Sequence, residues 1–186
     1  MNAVERLVQI QEEEHELVTG FKASIDTDHA YIHQGLAFVY SNKTTSLAAD
    51  ATYGIVVRTP VNRFIHYRPM LLATTANLLE VKLAEGSTYT GGTPVTPFCK
   101  NRQSERISQV SMSVAATVTE GTVLDYFVAG SAGLGGNRQG GNLFASDETI
   151  LKRDTTYSFL FTNVGAVTAT VGYYRFFWYE EEEGVV

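Results

Sequence analysis

The chain has 186 residues, of which 44% are apolar and 18% are charged, and its 14 basic and 20 acidic residues give a formal charge of −6. This composition is typical of a globular domain with one sizeable core, and it excludes both a disordered chain and a membrane-spanning run of about 20 apolar residues. No basic run marks a site for a phosphate backbone, so we expect no nucleic-acid partner and no membrane partner.

The N-terminal residues predict an arm or a short helix. Val4, Leu7 and Val8 have the apolar spacing of a helix, which polar residues soon interrupt. Acidic residues occupy the positions where a signal peptide has a basic and then an apolar segment, so we expect no export by that route. We place this arm at residues 1–28.

From Tyr31 onward the sequence predicts strands. Short runs of β-branched and aromatic residues alternate with small polar residues and are separated by Gly, Pro, Asn and Asp. No stretch between them has the length and period of a crossover helix, which disfavours a parallel sheet. We predict an all-β fold, an antiparallel β-sandwich of jelly-roll-like form, at residues 29–180, followed by an acidic tail at 181–186. The eight predicted strands span residues 30–41, 52–60, 63–75, 77–86, 106–118, 122–130, 156–163 and 169–180.

Two long segments are predicted to be loops on this sandwich. Residues 85–104 contain two of the four prolines, and residues 129–142 contain six glycines. Long loops on a rigid scaffold commonly carry binding residues. We therefore expect the Gly-rich loop to be either a flexible loop or an interface loop that orders on assembly, with Arg138 meeting a carboxylate on a partner. The candidate interface residues are Leu134, Asn137, Arg138, Gln139 and Asn142.

His29 and His33 are four residues apart, a spacing that also occurs in zinc sites. On a helix such residues are neighbours and could share one ion. The flanking Tyr31, Ile32 and Gly35 favour a strand, in which four residues separate the two rings by roughly 13 Å. We therefore expect hydrogen-bonded structural histidines and no metal site, with a zinc site and a pH-sensitive subunit contact as the alternatives.

The sequence contains no motif for catalysis or for cofactor binding. The Gly-rich loop lacks the Gly-Lys-Ser/Thr of a phosphate-binding loop, and no serine lies in a Gly-x-Ser-x-Gly elbow. Cys99 is the only cysteine, so no intramolecular disulfide and no thiolate zinc cluster can form. The consecutive acids Glu180 to Glu183 are expected to be solvated. We predict no enzyme, no catalytic residue and no cofactor.

The aromatic run at residues 170–180 is expected to fill the core with one of its faces and to place Trp178 in that core. The other face of this strand is expected to meet a second layer or another subunit. An aromatic platform for sugars is the alternative interpretation of this run.

Six stretches, taken in order, resemble a family of small tailed-bacteriophage virion proteins. They are "HAYIHQGLAF" at 29–38, "VRTP" at 57–60, "RFIHYRP" at 63–69, "EVKLAEGSTYTGGTPVTPFCKNRQSERIS" at 80–108, "ETILKRDTTYSFLFTNVG" at 148–165 and "FFWYE" at 176–180. The positions that match the family pattern are His29, His33, Gly35, Phe38, Glu148, Leu151, Thr156, Tyr157, Asn163, Trp178, Tyr179 and Glu180.

The resemblance implies a head decoration, or cement, protein with a β-sandwich fold. Such a protein is a non-enzymatic structural component of the virion that binds the outer surface of the capsid, with the major capsid protein as its partner. The resemblance further implies a homo-oligomer, with a trimer at a local three-fold axis favoured. A phage tail or fibre module that binds host-surface glycans is the alternative. No catalytic residue is implied.

Overall fold

The computed structural model describes residues 27–44, 46–74, 78–129, 148–166 and 172–182. These ranges contain one helix, α1 (Thr27–His33), and twelve strands. The strands are β1 (Ala37–Lys43), β2 (Thr52–Arg58), β3 (Arg63–Thr74), β4 (Leu79–Glu85), β5 (Thr88–Thr90), β6 (Thr93–Val95), β7 (Phe98–Cys99), β8 (Ser111–Thr119), β9 (Thr122–Ala129), β10 (Thr149–Leu151), β11 (Thr156–Asn163) and β12 (Gly172–Glu182).

The strands form two antiparallel sheets with the strand order of a jelly roll. One sheet has the order β10-β3-β12-β1-β7, and the other has the order β5-β8-β2-β11-β4-β9, with β6 also pairing with β8. The pairs are nested: β1 pairs with β12, β2 with β11, β3 with β10 and β4 with β9. This is the order that results when one long hairpin folds over into two packed sheets. The predicted all-β antiparallel sandwich is confirmed.

The core lies between the two sheets, and β12 supplies three of its large aromatic side chains. Tyr174, Phe176 and Trp178 alternate along this strand and are buried among the core residues. From the opposite sheet, Phe159 meets Phe176 edge to face with ring centroids 4.6 Å apart, a favoured aromatic geometry. The prediction that one face of the aromatic run fills the core is confirmed for these three residues of β12.

Residues 27–33 form a helix, so the strand predicted for residues 30–36 is wrong. The chain leaves α1 through Gly35, which has a φ of 71°. The amide of Leu36 donates to the carbonyl of Tyr31 and the amide of Gly35 donates to that of Ile32, the two bonds of a Schellman cap. Only the second half of the predicted segment, from Ala37, is strand. Most of the predicted arm and tail, residues 1–26 and 183–186, lies outside the described ranges.

Four short strands were missed from the sequence. Strands β5, β6 and β7 lie in the segment at 85–104 that was predicted to be a loop, and β10 precedes β11. Each has only two or three residues. A segment of that length shows no periodicity of its own and becomes strand because a longer neighbour pairs with it.

Replacement of Trp178 by alanine should lower the free energy of unfolding by about 3–5 kcal/mol, because the ring is only 3% exposed and its removal leaves a cavity. Tyr173→Ala, on the same strand and 48% exposed, should change it by less than about 1 kcal/mol. Chemical denaturation of both variants measures this difference. Equal losses would show that Trp178 does not anchor the core.

Candidate functional site

The outer face of the five-stranded sheet carries a surface rich in cations and aromatic rings. Because side chains alternate along a strand, the residues of β1 and β12 that do not enter the core point to this face. The register aligns Val39 with Phe177, Ser41 with Arg175 and Lys43 with Tyr173. We call this surface the basic face. It consists of Val39, Ser41, Lys43, Phe98, Lys100, Arg102, Tyr173, Arg175 and Phe177.

Two of the cations lie over aromatic rings of the same face. Lys100 Nζ is 4.5 Å from the centroid of the Phe177 ring, and the Arg102 guanidinium is 5.5 Å from that of Phe98. Both distances are within the range of a cation–π interaction. Phe98 is 58% exposed and Tyr173 is 48% exposed. The face therefore offers aromatic contact area beside positive charge.

The cations of the basic face are not neutralised by the described part of the chain. Within the described ranges, Lys43, Lys100, Arg102 and Arg175 form no salt bridge. Lys43 and Arg175 are diagonal neighbours across β1 and β12, close enough for like charges to repel. Three of the 14 basic and eight of the 20 acidic residues lie outside these ranges, which leaves 11 basic and 12 acidic residues in the described part. A positive surface thus lies on a nearly neutral body and favours an anionic partner.

A polar cluster occupies the other half of the same sheet face. His66 Nδ1 lies 2.6 Å from Glu148 Oε1, and His66 Nε2 lies 3.0 Å from Glu181 Oε2. The Tyr179 hydroxyl donates to Glu148 Oε2 at 2.6 Å, and Arg68 Nε is 3.3 Å from the same oxygen. Both nitrogens of this largely buried imidazole lie within hydrogen-bond distance of a carboxylate. We therefore assign the cluster a structural role, which is to join β10, β3 and β12.

The polar cluster also holds α1 against the sheet. The ring of Tyr179 is stacked between those of His66, at 4.5 Å, and Tyr31 of α1, at 4.2 Å. Burial, the charge of Glu181 and a hydrogen bond to it raise the pKa of Tyr31 to about 12. Burial opposes ionisation of Glu148, but hydrogen bonds from Tyr179 and His66 outweigh it and hold the pKa of that carboxyl below its ordinary value.

The lowered pKa of Glu148 makes a prediction for stability against pH. A carboxyl whose pKa is lower in the folded than in the unfolded chain stabilises the fold above about pH 4.5, and this contribution is lost as the pH falls through the lowered value. Glu148→Gln should therefore cost about 1–3 kcal/mol at pH 7 and progressively less as the pH falls below 4.5. Urea unfolding across this range measures the difference, with Glu105→Gln as the control for an exposed carboxyl. A deficit independent of pH would contradict the assignment.

The expected separation of His29 and His33 is wrong. Both lie on α1, where a four-residue spacing brings the Nε2 atoms within 2.8 Å and the ring centroids within 4.6 Å. The pair is exposed to solvent. Within the described ranges, no group of three or more His, Cys, Asp or Glu side chains could hold a metal ion. Two imidazoles alone fall short of the ligand sets of protein zinc sites.

The expectation of a solvated acidic run at residues 180–183 is wrong for Glu180 and for Glu181, whose side chain is 20% exposed and bonded to His66. Glu183 lies outside the described residues. Glu180 is 1% exposed, because it lies on the same side of β12 as the buried Trp178, two residues before it. Its carboxylate accepts hydrogen bonds from the Ser108 hydroxyl, the Gln109 amide and Trp178 Nε1. Alternation from the buried Trp178 is the sequence signal that could have placed it. The role of Glu180 is to tie the segment before β8 to the end of β12.

The interface predicted from the sequence lies in the Gly-rich loop and not on the basic face. Leu134, Asn137, Arg138, Gln139 and Asn142 all lie outside the described residues, so their predicted role stays a prediction. The basic face was missed because its cations are separated by more than 130 residues along the chain, from Lys43 to Arg175. Lys43 and Arg175 become neighbours only when β1 and β12 pair, and the pairing of β7 with β1 brings Lys100 and Arg102 to the same face. The outward position of Arg175 in "GYYRFFWYE" is the one signal that the sequence offered.

Strand β9, at the end of the seven-stranded sheet within the described residues, presents Leu124, Tyr126 and Val128 to solvent. An apolar edge strand of this kind invites pairing with another chain. Here the Asp125 carboxylate accepts the amide hydrogen of Tyr126 at 2.7 Å. The side chain thereby occupies one backbone donor of this strand.

Asp125→Ala should therefore increase self-association through β9. The substitution leaves the Tyr126 amide without its acceptor, whereas Asp125→Asn removes the charge and keeps an oxygen in place. Sedimentation velocity over a concentration series should show additional larger species for the alanine variant and the natural distribution for the asparagine variant. Identical behaviour of the two variants would mean that charge alone, or neither property, protects the edge.

No protein-family profile matches the chain, and no curated protein matches it. Among the described residues, no helix is long and apolar enough to cross a membrane.

Proposed function

We propose that the chain is a structural protein of the tailed-phage virion that binds the outer surface of the capsid and stabilises it, with the major capsid protein as its partner. The basic face is the observation that supports this proposal, because it sets exposed aromatic rings beside cations that the described chain leaves unpaired. Arginine and aromatic residues are enriched where protein surfaces bind one another. The ordered resemblance to decoration proteins points to the same class.

The basic face is rigid, which favours its use as a binding surface that holds capsid subunits together. The face lies on hydrogen-bonded strands, with β1 paired to β12 over seven residues and to β7 over two. Residues on paired strands lose little conformational freedom on binding, so less of the contact energy is offset by ordering. A patch of about 800 Å² per partner, repeated over the capsid, would resist expansion without any chemistry.

A homo-oligomer, with a trimer favoured, belongs to the same proposal. When several copies are linked, each further contact forms at a high effective concentration, and release requires all contacts to open together. Three basic faces held around one axis would bind an acidic capsid surface for long periods even though each face alone binds weakly. Weak single faces would also make binding depend steeply on ionic strength.

A glycan-binding tail or fibre module is the second candidate. The exposed rings of Phe98 and Tyr173 could stack on a sugar, with Arg102 or Arg175 beside them. Trp178 cannot take part, because it is buried in the core. Antibody-gold labelling of virions shown by mass spectrometry to contain the chain separates the two functions. Gold on heads supports decoration, and gold confined to tails or fibre tips supports glycan binding.

Charge reversal on the basic face tests the interface itself. Lys43→Glu with Arg175→Glu should weaken binding to assembled heads that lack the protein by at least about tenfold, since attraction to an acidic surface becomes repulsion. Arg106→Glu, which reverses an exposed cation outside the basic face, is the control for charge reversal elsewhere on the surface. Cosedimentation with heads at two salt concentrations measures both. Equal binding of the two variants would show that another surface meets the capsid.

A further inference from the structure

The charge of this chain is unevenly divided between its N-terminal residues and its body. Residues 1–26 hold six acidic and two basic residues, a formal charge of −4. Four of these carboxylates are concentrated at Glu12, Glu13, Glu14 and Glu16. The body offers the opposite feature, a group of cations on the basic face that form no salt bridge within the described ranges. The two features are complementary in charge.

The described chain begins with α1, which lies on the same side of the body as the basic face. Tyr31 of α1 stacks on Tyr179 on the outer side of the five-stranded sheet. From Tyr179 to Tyr173 along β12 is six residues, or about 20 Å of strand. The eleven residues from Glu16 to Thr27 can span up to roughly 36–40 Å. Every cation of the basic face is therefore within reach of its own chain.

We propose that Glu12, Glu13, Glu14 and Glu16 bind the basic face of the same chain and cover it until an acidic partner displaces them. Lys43 and Arg175 form one end of the docking surface, and Lys100 and Arg102 form the other. Binding would relieve the repulsion between the diagonal neighbours Lys43 and Arg175.

The consequence is a tethered competitor at the binding surface. A segment joined by a short linker acts at an effective concentration on the order of millimolar, so weak ion pairs suffice to keep the face occupied. A partner must then compete with this segment for the basic face. The competition lowers the apparent affinity of the protein for every surface of modest negative charge. This regulatory role rests on the proposed function of the face, but the docking itself is a property of the free chain.

The test is zero-length carbodiimide crosslinking of the full chain, free of any partner, followed by mass spectrometry. We expect Glu12–Glu16 to crosslink to Lys43 and Lys100 and to do so far less at 1 M salt, where the screening length is about 3 Å. Lys82 and Lys152, which pair with other acids of the body, are the internal comparison. Crosslinks as frequent to these two lysines would overturn the proposal. Crosslinks between chains in a mixture of ¹⁵N-labelled and unlabelled protein would also overturn it, because the occupant would then be another copy.

A second measurement does not depend on the crosslinked groups. Trypsin cleavage after Lys22 should be about threefold to tenfold faster in the Lys43→Glu, Arg175→Glu variant, the change expected from the loss of two exposed ion pairs. Arg106→Glu should leave the rate unchanged, and circular dichroism establishes that both variants fold. Equal cleavage rates in all three proteins would overturn the docking. Because no capsid is present, failure here is distinct from failure of head binding.

Discussion

The register of β12 between β1 and β3 is the constraint on which the other features depend. β12 pairs with β1 from Tyr173 to Tyr179 and with β3 from Gly172 to Glu182. Its alternate residues therefore have fixed destinations, with Phe176 and Trp178 in the core and Arg175 on the basic face. A slip by one residue would exchange the two sides, burying a guanidinium and exposing an indole. The cost of an unpaired buried charge makes that alternative far less stable.

The same strand links the core to the polar cluster. Tyr179 stacks on His66 and Tyr31 on the outer side, whereas Glu180, one residue later, points to the mouth of the sandwich. When the aromatic residues of β12 take their places, α1 and the segment before β8 are therefore positioned as well. Since each buried carboxylate has hydrogen-bond donors around it, the polar groups add specificity to a core that apolar packing stabilises.

The sequence was sufficient for the long strands because each has enough residues to show alternation or an unbroken apolar run. Buried strands such as β2 and β11, with turn residues at their ends, were predicted within one or two residues. The helix at Thr27–His33 was mistaken for strand because Tyr31 and Ile32 have high β propensity, which tertiary contacts override. The cap at Gly35 was the available helix-stop signal. Glu180 looked solvated because two of its three hydrogen-bond donors, Ser108 and Gln109, are more than 70 positions away in the sequence.

The positive charge of the basic face follows from how the acids are used elsewhere. Glu85 pairs with Lys152 and accepts a hydrogen bond from the Tyr157 hydroxyl. Glu148 and Glu181 lie on either side of His66. Glu182 pairs with Arg63. These carboxylates stabilise the ends and edges of the sandwich, so few remain to neutralise cations on its outer side. A jelly roll by itself implies no function. A group of unpaired cations on rigid strands does have a functional implication. Like charges held close together destabilise the fold, and binding of a partner of opposite charge offsets that loss.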